Sequence, residues 1–271
     1  MVKKLYKYEF SALGNRILPM YAVVAALALA LRLLQLAESD TTVYRIVFWS
    51  AVVALGVGAV VCCAMTAAVL LVRFYRHFFS SEGYLTFTLP VTPWQLLRVK
   101  LVSAVGLCVL SLLVILASVC LAAAGRPLAE GLKALFWLFH KVTGYGVSAA
   151  NLTFYALELA ANAIAFLALV FSVFYACLCL GQLANRLRLL LSFGVFLALW
   201  LLGQLGATLC LVFLDRLEQT ALAQQFLTLL GSNPTAAAHE ALLISLAVAL
   251  GLTALFTGIS LRVLRRHLNL E

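Results

Sequence analysis

Six long apolar runs dominate the sequence and restrict the folds that are open to it. They cover residues 17–37, 46–72, 101–124, 152–180, 189–214 and 241–264. A hydrocarbon core about 30 Å thick is crossed by about 20 helical residues, so each run is long enough to span a bilayer. Inside lipid, a spanning backbone must satisfy its own hydrogen bonds, which an α-helix does. The runs therefore predict an all-α, polytopic membrane protein with six transmembrane helices.

The composition favours a membrane protein over a soluble one. Hydrophobic residues make up 65% of the 271 residues and charged residues 11%, and the mean hydropathy is +1.09. Soluble domains are nearer half apolar and a quarter charged. We expect the six runs to form one domain over residues 1–271.

The basic residues predict the orientation of the chain. If all six runs cross the membrane, 13 of the 19 Lys and Arg residues fall on the side that holds the N-terminus. Positive residues concentrate on the cytoplasmic side of membrane proteins, so we expect a plasma-membrane protein with both termini in the cytoplasm. The loop after the third run is the exception, with Arg126, Lys133 and Lys141. The net charge of +9 is thus a topology signal, and nucleic acid is not an expected partner.

A basic segment, residues 1–16, precedes the first run. It contains Lys3, Lys4 and Lys7, and apolar side chains recur at helical spacing up to Ile17. This pattern is typical of an interfacial helix that lies on an anionic lipid surface, so membrane lipid is an expected partner. A basic tail that only sets the topology would carry the same charges, and this alternative stays open.

A polar stretch over residues 73–100 separates the second run from the third and has local structure signals of its own. Ser81 can cap a short helix that stops before Pro90. Thr92 and Gln95 then form a capping box, with a proline at the first helical position. The stretch predicts a short helix, a turn, and a new helix that continues into the third run.

The fourth run contains two polar residues, Glu158 and Asn162. They are one helical turn apart and therefore share a face. A carboxylate costs about 3 kcal/mol at mid-bilayer on insertion scales, so it usually faces the protein interior or a wet cavity. Both residues are candidates for a translocation path, or Glu158 pairs with an outer-side arginine. A purely structural role stays open as the alternative.

No catalytic or metal-binding motif is found in the sequence. No G-x-x-x-x-G-K-[ST] phosphate loop is present, so we do not expect ATP to bind this chain in that way. His239 and Glu240 begin a metalloprotease-like string, but Leu243 stands where its second histidine would be. The seven cysteines lie within apolar runs and are interpreted as small buried hydrophobes. We expect no enzyme activity, no metal site and no cofactor bound by this chain.

Three segments of the polar stretch form a recognisable pattern: Glu82-Gly83-Tyr84-Leu85, Thr88-Leu89-Pro90-Val91-Thr92-Pro93-Trp94, and Leu96-Leu97 with Lys100. This pattern resembles the cytoplasmic loop of ABC-2 type permeases, the membrane subunits of one class of ATP-binding-cassette exporters. That loop commonly has an acidic residue with Gly, an apolar helix, a Pro, a Ser/Thr-rich turn with an aromatic, and a Lys entering the third span. The segment EGYLTFTLPV, residues 82–91, especially resembles small permeases of Gram-positive bacteria, whose ATPase is a separate polypeptide.

The resemblance implies a mechanical role for the stretch. Its short helix would be a coupling helix that contacts a cytosolic ABC ATPase subunit. The implied coupling residues are Ser81, Glu82, Gly83, Tyr84, Leu85, Phe87, Leu89 and Pro90. ATP and Mg would bind the partner subunit, and the permease would pair with itself or with a related permease. The pair would export a hydrophobic or amphipathic substrate.

Two alternatives to this interpretation stay open. Phe78, Phe79, Leu85 and Phe87 could instead anchor the loop in the inner leaflet. The chain could also be a carrier or channel driven by an ion gradient, but such a protein would need more intramembrane ionisable groups than Glu158. The fourth run departs from the family pattern because it is long, at residues 152–180, and contains Glu158.

Overall fold

The fold is helical in the residues that the computed structural model describes, namely 2–37, 41–80, 83, 88, 90–125, 129–131, 133–134, 137, 149–183, 187–218 and 234–266. The six helices are α1 (Val2–Leu36), α2 (Thr42–Phe79), α3 (Pro93–Ala122), α4 (Ala149–Gly181), α5 (Arg188–Glu218) and α6 (Pro234–Arg266). No strand occurs among the described residues. The predicted all-α fold is confirmed.

Each helix covers the apolar run that was predicted for it, except that α1 and α3 end one and two residues before the end of their runs. By length and composition, all six are long and apolar enough to cross a membrane, which confirms the six predicted spans. The helices extend past the apolar runs because backbone hydrogen bonds continue into polar end segments. In α1 the basic segment and the first run form one continuous helix, and the interfacial position of the basic segment stays a prediction.

The helices belong to two compact units. The first contains α1, α2 up to Phe78, and α3, whereas the second contains α4, α5 and α6. This division does not test the expected single domain over residues 1–271, which stays a prediction.

In the first unit, α1 packs mainly against α3. The buried residues of α1 recur every three or four positions and so form one helical face. They are Glu9, Leu13, Ile17, Tyr21, Val24, Ala28 and Leu31. Near mid-helix, the Tyr21 hydroxyl lies 2.7 Å from Ser111 Oγ of α3, and Thr66 Oγ1 of α2 lies 3.2 Å from the same atom. These hydrogen bonds connect three apolar helices, where each is worth about 1 kcal/mol.

In the second unit, α4 is the central helix and packs against both α5 and α6. Its buried side chains include Phe171, Tyr175 and Cys179. On α6, Thr257 and Ser260 are buried, and each hydroxyl donates a hydrogen bond to a carbonyl of its own helix. The hydroxyls are thereby satisfied inside an apolar interface.

Candidate functional site

The predicted coupling residues lie mostly outside the described part of the chain. Gly83 and Pro90 are described, whereas Ser81, Glu82, Tyr84, Leu85, Phe87 and Leu89 lie outside the described residues. Just before them, α2 ends at Phe79, and the Gly83 backbone N–H donates to the Ser80 carbonyl at 2.7 Å. The predicted coupling helix therefore stays a prediction.

The helix start predicted at the far end of the stretch is confirmed. Thr92 is the N-cap of α3, and Pro93 occupies the first turn. The Gln95 backbone N–H donates to Thr92 Oγ1 at 3.4 Å, and the Thr92 N–H donates to Gln95 Oε1 at 3.0 Å. This reciprocal capping box fixes the residue at which the polar stretch gives way to α3.

A buried ion cluster joins the two ends of the polar stretch to α1. Arg73, at the start of the stretch, donates from Nε to Glu9 Oε1 at 2.9 Å and from Nη2 to Glu9 Oε2 at 3.2 Å. Lys100, at the end of the stretch, donates from Nζ to Glu9 Oε1. We call these three residues the Glu9 cluster. One carboxylate of α1 thus holds the last turns of α2 and the second turn of α3 together.

Burial makes the Glu9 cluster a strong constraint. Glu9 is 7% exposed and Lys100 is 8% exposed. A buried charge is costly unless it is paired and hydrogen-bonded. The two-point contact between the guanidinium and the carboxylate also fixes the orientation of both groups. The carboxylate of Glu9 therefore constrains the relative positions of α1, α2 and α3 at the base of the stretch.

Two phenylalanines of the proposed lipid anchor are buried in the protein. Phe78 and Phe79 are both buried, and the Phe78 ring centroid lies 4.8 Å from that of Phe74. Their burial disfavours the alternative in which these two side chains anchor the loop in lipid. The other two proposed anchors, Leu85 and Phe87, lie outside the described residues.

A second polar group, the Glu158 cluster, lies between α4 and α6 and consists of Tyr155, Glu158, Asn162, His239 and Ser245. Glu158 Oε2 lies 2.7 Å from His239 Nδ1, and the His239 ring stacks on Tyr155 with centroids 4.0 Å apart. The side chains of His239 and Glu158 are 25% and 21% exposed. The partner of Glu158 is thus a histidine of α6, not the arginine considered from the sequence.

Asn162 adds hydrogen bonds between the same two helices. Its Nδ2 donates to the Leu242 carbonyl of α6 at 3.0 Å and to the Glu158 carbonyl at 3.0 Å. Its Oδ1 accepts from Ser245 Oγ at 2.6 Å. Glu158 and Asn162 share one face, as predicted. Their contacts are with α6, so the cluster joins α4 to α6 through a carboxylate, an imidazole and an amide.

Sequence reasoning did not single out Tyr155 or Ser245, and it considered His239 only as part of a metalloprotease-like string. A signal was present, because Tyr155, Glu158 and Asn162 are spaced i, i+3, i+7, which gives α4 one continuous polar stripe. His239 and Ser245 are six residues apart on α6. Within the described residues, no group of three or more metal-ligating side chains is close enough to hold a metal ion.

We expect Asn162→Ala to weaken the α4–α6 interface. The substitution removes hydrogen bonds to the Leu242 carbonyl and the Ser245 hydroxyl, and interhelical hydrogen bonds in membranes are worth about 1 kcal/mol each. Unfolding of the purified protein in increasing fractions of a denaturing detergent would measure a loss of about 1–2 kcal/mol. Thr208→Ala is the matched control, because the Thr208 hydroxyl bonds only within α5, to Gln204. Equal losses in the two variants would contradict the interhelical role.

No protein-family model, curated protein or solved structure matches the chain. Membership of the ABC-2 permease family therefore stays a prediction from the pattern of residues 82–100.

Proposed function

We propose that the chain is the permease subunit of an ABC exporter of the ABC-2 type. In this proposal it moves a hydrophobic or amphipathic substrate across the plasma membrane, and a separate cytosolic subunit binds ATP and Mg and hydrolyses the ATP. The chain itself is not an enzyme. It works as a dimer, with a second copy or with a related permease.

The observation that carries the proposal is the junction of the polar stretch with three helices. A partner that pushes on residues 81–90 acts on a segment whose two ends, Arg73 and Lys100, bind one carboxylate of α1. A displacement of the stretch is therefore passed to α1, α2 and α3 together. A loosely tethered loop would absorb the same push without moving the helices.

The charge distribution is consistent with this arrangement. With six spans, the stretch between α2 and α3 lies on the same side as both termini, which the positive-inside rule places in the cytoplasm. Tyr84, Leu85 and Phe87 supply apolar anchors of the kind that dominate protein interfaces. Glu82, near the predicted start of the short helix, would complement the positive helix end and would suit a basic partner surface.

A second candidate is a carrier driven by an ion gradient, and the Glu158 cluster favours it. Glu158 and His239 form an ionisable pair between two candidate spans, and such pairs occur in proton pathways. ATP dependence separates the two candidates. A carrier would transport substrate in response to a proton or sodium gradient with no nucleotide present.

The proposal is tested by replacing the apolar anchors. We expect Tyr84→Ala combined with Leu85→Ala to leave membrane insertion unchanged and to remove a soluble ATPase from the material that co-purifies in mild detergent, because hot-spot side chains each contribute about 2 kcal/mol or more. Glu82→Lys should weaken the same association. Mass spectrometry of material isolated from the native host membrane would identify and quantify the ATPase.

Leu187→Ala is the matched control for these variants. Leu187 is an exposed apolar residue in the connection between α4 and α5, on the same predicted side of the membrane, but outside the stretch. The Leu187→Ala variant should still co-purify with the ATPase. Retention of the ATPase by the Tyr84 and Leu85 double variant, with unchanged ATP-dependent transport, would refute the coupling role.

A further inference from the structure

A pocket of about 290 Å³ lies along the last two turns of α6. It is lined by Gly258, Leu261, Arg262 and Arg265. These positions are spaced i, i+3, i+4 and i+7, so they form one continuous helix face. We call this feature the arginine pocket. Its volume is near the lower end of the range for ligand pockets, about 300 Å³.

The two arginines of the pocket carry charge that no residue in the described part of the chain neutralises. Both are exposed, and neither forms an ion pair with any residue in the part of the chain that the structure describes. The acid on the same helix, Glu240, stands near the opposite end of α6. A guanidinium presents several N–H donors in a planar fork that fits phosphate oxygens at two points. The pocket thus offers two such forks to one anion.

We expect the pocket to extend from the headgroup region of the membrane toward its hydrocarbon core. The candidate span of α6 ends at Arg265, so we expect the two arginines to lie at the level of the lipid headgroups. Gly258 is seven residues deeper, which at 1.5 Å per residue is about 10 Å toward the hydrocarbon. A ligand that fills the pocket therefore needs an anionic group at one end and an apolar chain at the other.

Gly258 keeps the deep end of the pocket open. A Cβ added at this position would meet no other atom within 4 Å. Ser260, Val263 and Leu264 are buried, so the packed face of α6 is a different one. Basic residues that serve only to set topology need charge alone and no adjoining cavity.

We propose that the arginine pocket binds a phosphate group, and that its source is the headgroup of an anionic phospholipid. The two guanidiniums hold the phosphate, and the first part of an acyl chain lies over Leu261 and Gly258. Free phosphate shares the same chemistry but leaves the apolar end of the pocket unused. This inference does not depend on the proposed transport function.

The test compares lipid binding to the full chain in a neutral detergent. Native mass spectrometry and the thermal unfolding midpoint are recorded with phosphatidylglycerol, with phosphatidylcholine and with inorganic phosphate. We expect phosphatidylglycerol to bind and to raise the midpoint. Phosphatidylcholine should do neither, because its choline cation offsets the negative charge of its phosphate and is repelled by the two arginines. Arg262→Gln combined with Arg265→Gln should weaken phosphatidylglycerol binding about tenfold or more, because each basic residue near an anionic surface adds to the attraction.

The Gly258→Phe variant tests whether binding needs the open space of the pocket as well as its two charges. It places a ring at the deep end while leaving both arginines in place, and a Cβ at this position meets no other atom within 4 Å. We expect it to weaken phosphatidylglycerol binding several-fold, even if the double arginine variant fails to fold. Arg98→Gln is the control, since Arg98 is also exposed but does not line the pocket, and it should bind lipid normally.

The outcomes distinguish the two sources of phosphate. A shift with inorganic phosphate alone that is lost in the arginine variants would support the phosphate site and overturn the lipid as its source. Two results would show that the arginine pocket is not the lipid site. One is unchanged phosphatidylglycerol binding in Gly258→Phe. The other is a loss of binding in Arg98→Gln as large as that in the double arginine variant.

Discussion

Replacing Glu9 with glutamine is expected to cost the protein about 3–5 kcal/mol of stability, the range measured when one partner of a buried ion pair is removed. The substitution leaves the guanidinium of Arg73 and the buried ammonium of Lys100 without the carboxylate that both contact. The amide of glutamine accepts one or two hydrogen bonds but carries no charge. Unfolding in increasing fractions of a denaturing detergent, followed by circular dichroism, would measure the loss.

Glu240→Gln is the control for Glu9→Gln, because Glu240 is exposed and its loss should change stability by less than about 0.5 kcal/mol. A second variant tests the cause directly. Adding Lys100→Met to Glu9→Gln removes one of the two cations that contact the Glu9 carboxylate and should restore part of the lost stability. Two results would show that the Glu9 cluster does not hold the three helices together. Either Glu9→Gln is as stable as the wild type, or the double variant with Lys100→Met is less stable than Glu9→Gln alone.

The helices and the start of α3 were predictable because local rules decide them. In lipid the backbone has no hydrogen-bond partner other than itself, so a long apolar run becomes a helix almost independently of its neighbours. The capping box at Thr92 and Gln95 needs contacts only three residues apart. Both predictions therefore required no knowledge of how the helices pack.

The partners of the buried charges could not be predicted in the same way. Glu9 is 64 residues from Arg73 and 91 residues from Lys100, and it lies within a basic segment where it added little to the topology count. Helices that are apolar on all sides carry almost no amphipathic signal, so their sequences do not indicate which faces meet. Glu158 was found because a carboxylate in an apolar run is rare, but its partner His239 depends on the packing of α4 against α6.

The position of Gly181 was also not singled out from the sequence, although the structure leaves no room there for a side chain. A Cβ added to Gly181 would overlap the Ser192 hydroxyl of α5 and lie 2.8 Å from the Arg188 carbonyl oxygen. A glycine at the end of a helix is commonly explained by its conformational freedom. At Gly181 the requirement comes from the close approach of the next helix.

Gly181→Ala is therefore expected to destabilise the protein by about 1–3 kcal/mol, the usual cost of overpacking a close contact. The Ser192 hydroxyl can rotate away, but the Ser192 Cβ and the Arg188 carbonyl oxygen each lie 2.8 Å from the added Cβ. Both atoms move only if the first turn of α5 moves with them. The loss would be measured by the same detergent unfolding. Gly203→Ala, on α5, is the matched control, because a Cβ there meets no atom within 4 Å and alanine is the better helix former by about 1 kcal/mol.

The Ser192→Gly substitution separates the two contacts at Gly181. In the double variant with Gly181→Ala, the new methyl group no longer meets the Ser192 side chain, but it still lies against the Arg188 carbonyl. The double variant should therefore recover only part of the stability that Gly181→Ala loses, relative to Ser192→Gly alone. Full recovery of stability would mean that the contact with the Arg188 carbonyl does not destabilise the protein. A Gly181→Ala protein as stable as Gly203→Ala would show that α4 and α5 do not approach this closely.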